Sequence, residues 1–410
     1  MKRILFVLST LWCVSQLYAI DARLVKTVDY TFREKWTKTI TESAYPIANY
    51  DTIYKNQNLF IATIASNFAV NGGGISKATY SVKITTPNNS VYLAQNNLLV
   101  IDKTLRDKTL PRLSEASVKL AFKESDPLGI YTIAITVTDV TSGETKTVES
   151  SIQLVELPSY KKRVVTDDSE FGKWLRFYND KPAPEKALSN YIYYTKSTPG
   201  HDKETFLGVF AIFTEIYKNN AFLGQQAMQA YNEQDDETKP FLLYLLHFSN
   251  SGSKSFFKKL SSNDKDALDQ IKDVMIPDMY GEIIDPLQLD MLWATFLAGG
   301  TYDPMRKLIQ TLDYAKYKGA LTTYKDLDQL KLDREDAINN FIYDVLLWSL
   351  KSNCNQNLLV KNYCAWAYQN ESLSPLQKEE LGKILNDVKS EPITPQNGQL
   401  STFDILEQGK

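Results

Sequence analysis

Gly129-Ile-Tyr-Thr-Ile-Ala-Ile-Thr-Val-Thr-Asp139 decides the fold of the first part of this chain. Tyr131, Ile133, Ile135 and Val137 take every second position, and the residues between them are small or polar. That is the period of a strand with one buried face. The segments Asn58 to Ile64, Ala78 to Ile84, Ser117 to Phe122 and Thr145 to Val155 also read as strands. Beyond about residue 158 the apolar residues recur every three to four positions, as helices require. The change of period predicts a two-domain chain, β then α: a β-sandwich over 20–157, a linker over 158–168 and an all-α domain over 169–390.

Turn chemistry agrees with this division. Asp126-Pro127-Leu128-Gly129 puts Pro where a turn wants its fixed φ and Gly where the chain re-enters a strand, and Asp139 to Glu144 closes a hairpin around Ser142-Gly143. In Leu157-Pro158-Ser159-Tyr160-Lys161-Lys162-Arg163, Pro cannot donate to a ladder and the charges keep the segment wet, which suits a linker. Three later helices share one start signal. Asp285-Pro286, Asp303-Pro304 and Ser374-Pro375 each place a side-chain oxygen at the N-cap and a preset φ at the first helical position. Gln288 and Gln377 complete capping boxes, while Gly299-Gly300 and Lys318-Gly319 supply stops. About eight to ten helices are expected between Glu170 and Val388, in antiparallel pairs such as 286–298 with 303–318, stacked as a solenoid-like helical array. Residues 391–410, rich in Pro, Gln and Gly, read as a flexible tail.

The Gly129–Asp139 stretch resembles the penultimate strand of the immunoglobulin-like domains found in many exported bacterial proteins. That resemblance implies an immunoglobulin-like β-sandwich at the N-terminus, one without a cysteine pair and therefore held by packing alone. Farther on, Leu289-Asp-Met-Leu-Trp-Ala-Thr-Phe-Leu-Ala-Gly-Gly-Thr-Tyr-Asp-Pro-Met-Arg306, with Leu347-Trp-Ser-Leu-Lys-Ser-Asn-Cys354 and Tyr363-Cys364, is similar to stretches in a family of uncharacterised exported bacterial proteins. Such proteins join an immunoglobulin-like N-terminal domain to a helical C-terminal one. The resemblance implies a bacterial origin and brings no activity with it.

Lys2 and Arg3 precede an apolar run from Ile4 to Val14, and Leu17-Tyr18-Ala19 follows as a cleavage site. This three-part form predicts a signal peptide over 1–19, a mature chain from Ile20 and a location in the periplasm or outside the cell. The run of about eleven residues is short of the roughly twenty that a spanning helix needs, and no later segment reaches that length, so no membrane-spanning segment is expected in the mature chain. Cys13 follows Leu11 and Trp12, where a lipid-modified cysteine would follow small residues. Cleavage would move the formal charge from -3 to -5, that is -3 minus the +2 of Lys2 and Arg3. A mildly acidic chain with no basic run beyond Lys161-Lys162-Arg163 does not read as a nucleic-acid binder.

Signals for chemistry are sparse. The two histidines, His201 and His247, fall far short of a metal ligand set, and no cofactor is expected. Ser251-Gly-Ser-Lys254 and Ser262-Asn-Asp-Lys265 have the serine-x-x-lysine spacing without its companion motifs, and both sit where helix caps belong. Asn71-Gly72-Gly73-Gly74 reads as a turn between strands. Paired carboxylates are the remaining enzymatic material: Glu282, Asp285 and Asp290 lie near Tyr280, Trp293 and Tyr302, as a glycoside-cleaving site would need. Capping competes for Asp285, and the helix dipole explains Asp290 equally well.

Cys354 and Cys364 are the only cysteines after Cys13, and an exported chain with one pair tends to bridge it. Along a single helix they would stand about 15 Å apart, so a bridge requires a turn between them. Ser352-Asn-Cys-Asn-Gln-Asn357 supplies one. Two buried free thiols are the alternative. Together these features predict an exported non-enzymatic binding or scaffold protein whose partner is a protein or an envelope component. The alternative is a carboxylate-dependent hydrolase acting on an envelope polymer.

Overall fold

The computed structural model of the chain describes residues 19–39, 45–162, 168–197, 203–272, 277–319 and 334–388. Residues 1–18 of the expected signal peptide with Cys13, residues 163–167 of the expected linker, His201 and the tail 391–410 lie outside the described residues. An N-terminal β region is followed by a helical one. The strands are β1 Asp21–Thr27, β2 Thr52–Tyr54, β3 Asn58–Ser66, β4 Ile75–Thr85, β5 Val91–Thr104, β6 Arg112–Leu113, β7 Val118–Ala121, β8 Gly129–Asp139 and β9 Thr145–Val155, with one short helix, α1 Phe32–Thr37, after β1. The helical region runs through α2 Asp168–Arg176, α3 Ala187–Ser197, α4 Lys203–Asn219, α5 Gly224–Tyr231, α6 Lys239–Phe248, α7 Lys254–Lys258, α8 Ser262–Lys272, α9 Pro286–Gly299, α10 Tyr302–Thr311, α11 Arg334–Gln356, α12 Leu358–Asn370 and α13 Pro375–Asp387. Among the described residues that is twelve helices after the β region, against the eight to ten expected, the shortest being α7 at five residues.

The strands form two sheets. One has four strands, β1-β3-β6 in order with β7 on β3; the other has five, in the order β2-β9-β8-β4-β5. Contacts gather the chain into two compact units, neither continuous in sequence. The first holds the described residues up to Val25, Ile61–Val118 and Tyr131–Ser151; the second holds Lys26–Phe60, Lys119–Ile130 and the described residues from Ile152 onward.

Within the first unit β4 lies between β8 and β5. The antiparallel register sets Tyr80 against Val137, Val82 against Ile135 and Ile84 against Ile133. All six are at most 1% exposed, so the alternation read from Gly129–Asp139 is the alternation of a buried sheet face. The β4–β5 pairing carries three register shifts, one of them at Asn96-Asn97, where Asn97 takes a left-handed φ of 57°. Such bulges twist a strand and blunt an edge. The hairpin after β8 turns on Asp139, which is 1% exposed. Its carboxylate accepts from the backbone N–H of Thr141 (2.8 Å), Ser142 (3.0 Å) and Ala69 (2.7 Å).

In the second unit α9 is the most enclosed helix, with ten of its fourteen residues buried. It packs against α10, its successor, and also against α4 far upstream, α11 and α2. Sequence-adjacent pairs α5 with α6, α11 with α12 and α12 with α13 pack as well. Two of the three predicted helix starts are found as read. Asp285 and Ser374 each close a capping box with Gln288 and Gln377, and Gly300 ends α9 in the left-handed region at φ 67°. The third is shifted: α10 begins at Tyr302 behind Thr301, so Asp303 lies in the first turn, where it pairs with Arg306 at 2.6 Å instead of capping. Neither serine of the Ser-x-x-Lys matches is itself the cap: Ser253 caps α7 by accepting from the Phe256 N–H and Ser261 accepts from the Asp264 N–H, while the Ser251 hydroxyl pairs with that of Ser249 and Ser262 is the first residue of α8.

The segment Lys26–Phe60 belongs to this second unit, and its anchor is polar. Lys35 is 1% exposed and its ammonium donates to Asp29 (2.7 Å) and to the Asn179 carbonyl (2.5 Å). Thr31 donates to the Gly299 carbonyl (2.9 Å), and the Tyr302 N–H donates to Glu34 (3.1 Å). The Lys38 ammonium stands 4.0 Å and 3.7 Å from the ring centres of Tyr302 and Trp366. Tyr45 donates to Asp180, whose carboxyl is held above its ordinary range by burial. Gly299-Gly300 is therefore more than a helix stop: a Cβ on Gly300 would meet the Lys35 side chain at 2.5 Å, and one on Gly299 would meet the Tyr30 hydroxyl at 2.5 Å. Among the described residues no helix is long and apolar enough to cross a membrane.

Candidate functional site

The three carboxylates singled out by sequence sit at the entry to α9. Asp285 is exposed, but one of its oxygens accepts from the Leu287 N–H at 2.8 Å in the capping box. Glu282 is exposed and contributes its backbone carbonyl to the Gln288 amide at 3.0 Å; Asp290 is half-buried at the fifth position of the helix, past its first turn. The aromatic residues expected beside them do not form one surface. Trp293 is 4% exposed with its indole N–H on Ser349 (3.1 Å), and Tyr302 is 2% exposed against Tyr363 and Trp366. Only Tyr280 is open, 49% exposed. Burial, then the Asp303 and Glu215 carboxylates, push its phenol up to about 12, so it stays a neutral donor at physiological pH.

A cleft of about 550 Å³ lies instead at the start of α13, lined by Gln310, Asp313, Glu371, Ser372, Leu373, Ser374 and Gln377. Its polar groups are largely committed to one another. Ser374 donates to one Asp313 oxygen (2.5 Å), and the Gln377 amide donates to the other (2.6 Å) and to the Gln310 carbonyl (3.0 Å). This network ties the α13 cap to the 3-10 helix Leu312–Tyr317.

Helix α11 offers a different surface. Ile342, Tyr343, Leu346, Ser349 and Leu350 are buried, whereas Phe341 is 36% and Trp348 is 39% exposed. Seven positions apart, they fall on one side of the helix, nearly two full turns from each other. Sequence reasoning passed over both, since Phe341-Ile-Tyr-Asp-Val-Leu-Leu-Trp348 is apolar almost all the way round and its outward side is not legible from period alone.

Cys354 lies in the last turn of α11 and Cys364 in the second turn of α12. Asn357 makes the turn between them, its side chain accepting from the N–H groups of Leu359 (2.9 Å) and Val360 (3.3 Å). Both thiols are fully buried, with Sγ atoms 3.5 Å apart. The Cys354 hydrogen bond, and then burial, push the Cys364 thiol well up. His247 is half-buried against Phe248 and Phe257. Among the described residues no three His, Cys, Asp or Glu side chains converge as a metal site.

No protein-family model matches this chain, and no curated protein does. Solved structures give distant likenesses. A family 123 glycoside hydrolase from Clostridium perfringens is 9% identical with a TM-score of 0.22, over 43% of this chain and 35% of that one. The CARDB domain of a Pyrococcus furiosus protein, in complex with di-metal ions, is 11% identical with a TM-score of 0.18, over 34% of this chain and 96% of that one. A family 76 glycoside hydrolase from a bovine Bacteroides thetaiotaomicron strain is 8% identical with a TM-score of 0.17, over 81% and 87%. This chain spans about a third of the length of the first, covering 35% of it. At such TM-scores neither fold nor activity passes from these proteins to this one.

Proposed function

We propose that this chain is an exported, non-enzymatic binding protein, in which an immunoglobulin-like sandwich and a helical domain present surfaces to another protein or to an envelope component. The observation that carries the reading is Trp348 on α11, a tryptophan 39% exposed on a helix whose Leu346, Ser349 and Leu350 are buried. Exposed aromatic side chains on a rigid helix are what protein interfaces use as anchors, burying large area with little loss of conformational freedom. Lys2-Arg3, the Ile4–Val14 run and Ala19 support export, and the buried alternation of β4 and β8 suits a sandwich domain. The hydrolase reading through Glu282, Asp285 and Asp290 has less support, since Asp285 holds a helix end and two of the three neighbouring aromatic residues are core.

The test compares the mature protein with its Trp348→Ala variant as bait against envelope extract. The reading expects a defined partner captured by the first and lost by the second, at unchanged thermal midpoint. Equal capture by both would remove α11 from the interface. Release of sugar or peptide from envelope polymer, lost on Glu282→Gln or Asp290→Asn, would replace binding by hydrolysis.

A further inference from the structure

We propose that Cys354 and Cys364 are joined by a disulfide in the mature protein, formed by exchange with a disulfide-bonded thiol oxidant before α11 and α12 dock. The geometry that carries this is the chain reversal at Asn357, which brings residues from the end of one helix and the second turn of the next to a 3.5 Å separation of their sulfurs. Both cysteines are free in the structure, and a disulfide needs about 2.0 Å, so bonding draws the sulfurs closer by roughly 1.5 Å. Both sulfurs are at 0% exposure in the core that also holds Leu350, Leu359, Val360 and Tyr363. No soluble oxidant reaches them there, so the bond has to be made while this hairpin is still open.

The step balances as two exchanges. One cysteine loses its proton and its thiolate attacks the oxidant's disulfide; that bond breaks, a mixed disulfide forms and one oxidant thiolate leaves. The second cysteine, also deprotonated, attacks the protein-side sulfur of the mixed disulfide. The Cys354–Cys364 bond forms, the second oxidant thiolate leaves, and the two protons and two electrons end on the oxidant as its dithiol. Once the helices close, the bridge is enclosed by apolar side chains and shielded from reductant. Its role is structural, holding the end of α11 against α12.

The proposal rests on the exported reading for its oxidant and on geometry alone for its partners, and two measurements separate the two. Mature protein is purified under an alkylating agent and mapped without reductant; a single linked peptide pair, lighter by two hydrogen atoms than the reduced pair, is expected. In parallel, reduced unfolded protein is refolded in a glutathione redox couple. Refolded protein should show the same linked pair, and its denaturation midpoint should fall when reductant is added during unfolding. A Cys354→Ala/Cys364→Ala variant should show no such fall. Reductant added to the folded protein should open the bridge only at the rate of unfolding. Free thiols from the cell with ready bonding in glutathione would overturn the in-cell bond and the export it presumes. Free thiols in both would overturn the pairing itself, and reduction of the folded protein as fast as the unfolded one would overturn the buried bridge.

Discussion

The β4–β8 pair and the Gly299-Gly300 crossing are both buried, and they are held in opposite ways. Between β4 and β8 the contacts are many, apolar and repetitive, so each of Val82, Ile84, Ile133 and Ile135 contributes a share that its neighbours duplicate. At the crossing, a segment that sequence assigns to the β domain enters the helical unit, where its polar anchors are single groups, among them Lys35 on Asp29 and Asn179, Thr31 on Gly299, Glu34 on Tyr302 and Tyr45 on Asp180, beside the β2–β9 pairing. Apolar packing tolerates truncation by degrees, whereas a buried charge pair tolerates none, since removing one partner leaves the other uncompensated. Redundant packing and sparse polar anchoring should therefore fail differently when perturbed.

The largest effect is expected from cutting the chain within Leu157 to Arg163. A change of period predicts that 20–157 and 164–390 each fold alone, but the second piece would lack Lys26–Phe60. We expect 164–390 to lose its cooperative melt and to regain protection when a 26–60 peptide is added, followed by circular dichroism. A full cooperative melt of 164–390 alone would make the anchor dispensable. Next in size is Lys35→Met in the whole mature chain, expected to cost about 3–5 kcal/mol of the helical unit by leaving Asp29 buried without its partner. Tryptophan fluorescence is the direct probe, because every tryptophan after Trp12, namely Trp36, Trp174, Trp293, Trp348 and Trp366, lies in the second unit.

Gly300→Ala comes third. A side chain there adopts a left-handed φ, costing about 1–2 kcal/mol, and its Cβ would press on Lys35 besides. The denaturation midpoint should fall by more than that of Gly143→Ala, a hairpin glycine with a similar φ of 78° and open space around it. Equal losses at the two sites would show that Lys35 gives way freely. The smallest effect is Ile135→Val, about 0.5–1.5 kcal/mol as for any buried methylene removed from a packed sheet, read from amide exchange in β8 with the tryptophan signal as reference.

How much of this was legible in sequence follows from the same contrast. The β8 and β9 segments, the Asp139 hairpin and the caps at Asp285 and Ser374 are local, each set by residues within a few positions of one another. Strand β5 carries a weak local mark, because Gln95-Asn96-Asn97 interrupts its apolar alternation at a bulge inside the paired strand. Helix α1 is six residues long, too short for a period to show, and owes its place to tertiary contacts. The packing of α4 on α9 and the burial of Lys35 leave no local mark at all. At the candidate sites, the approach of Cys354 to Cys364 could be read from the turn expected between them. The roles of Trp293 and Tyr302 in the core, and of Phe341 and Trp348 outside it, depend on which side of a wholly apolar helix meets its neighbours.

Native-state hydrogen exchange tests the central claim most directly. The Lys35 and Lys38 amides, bonded to the carbonyls of Thr31 (3.1 Å) and Glu34 (2.9 Å), report on α1, and the amides of α9 report on the heart of the helical unit. Across a series of denaturant concentrations, the Lys35 and Lys38 amides should open with the same free energy and the same denaturant slope as those of α9. Exchange of these two amides with the β4 and β8 set, or without protection, would contradict the anchored segment and return the boundary to residue 158.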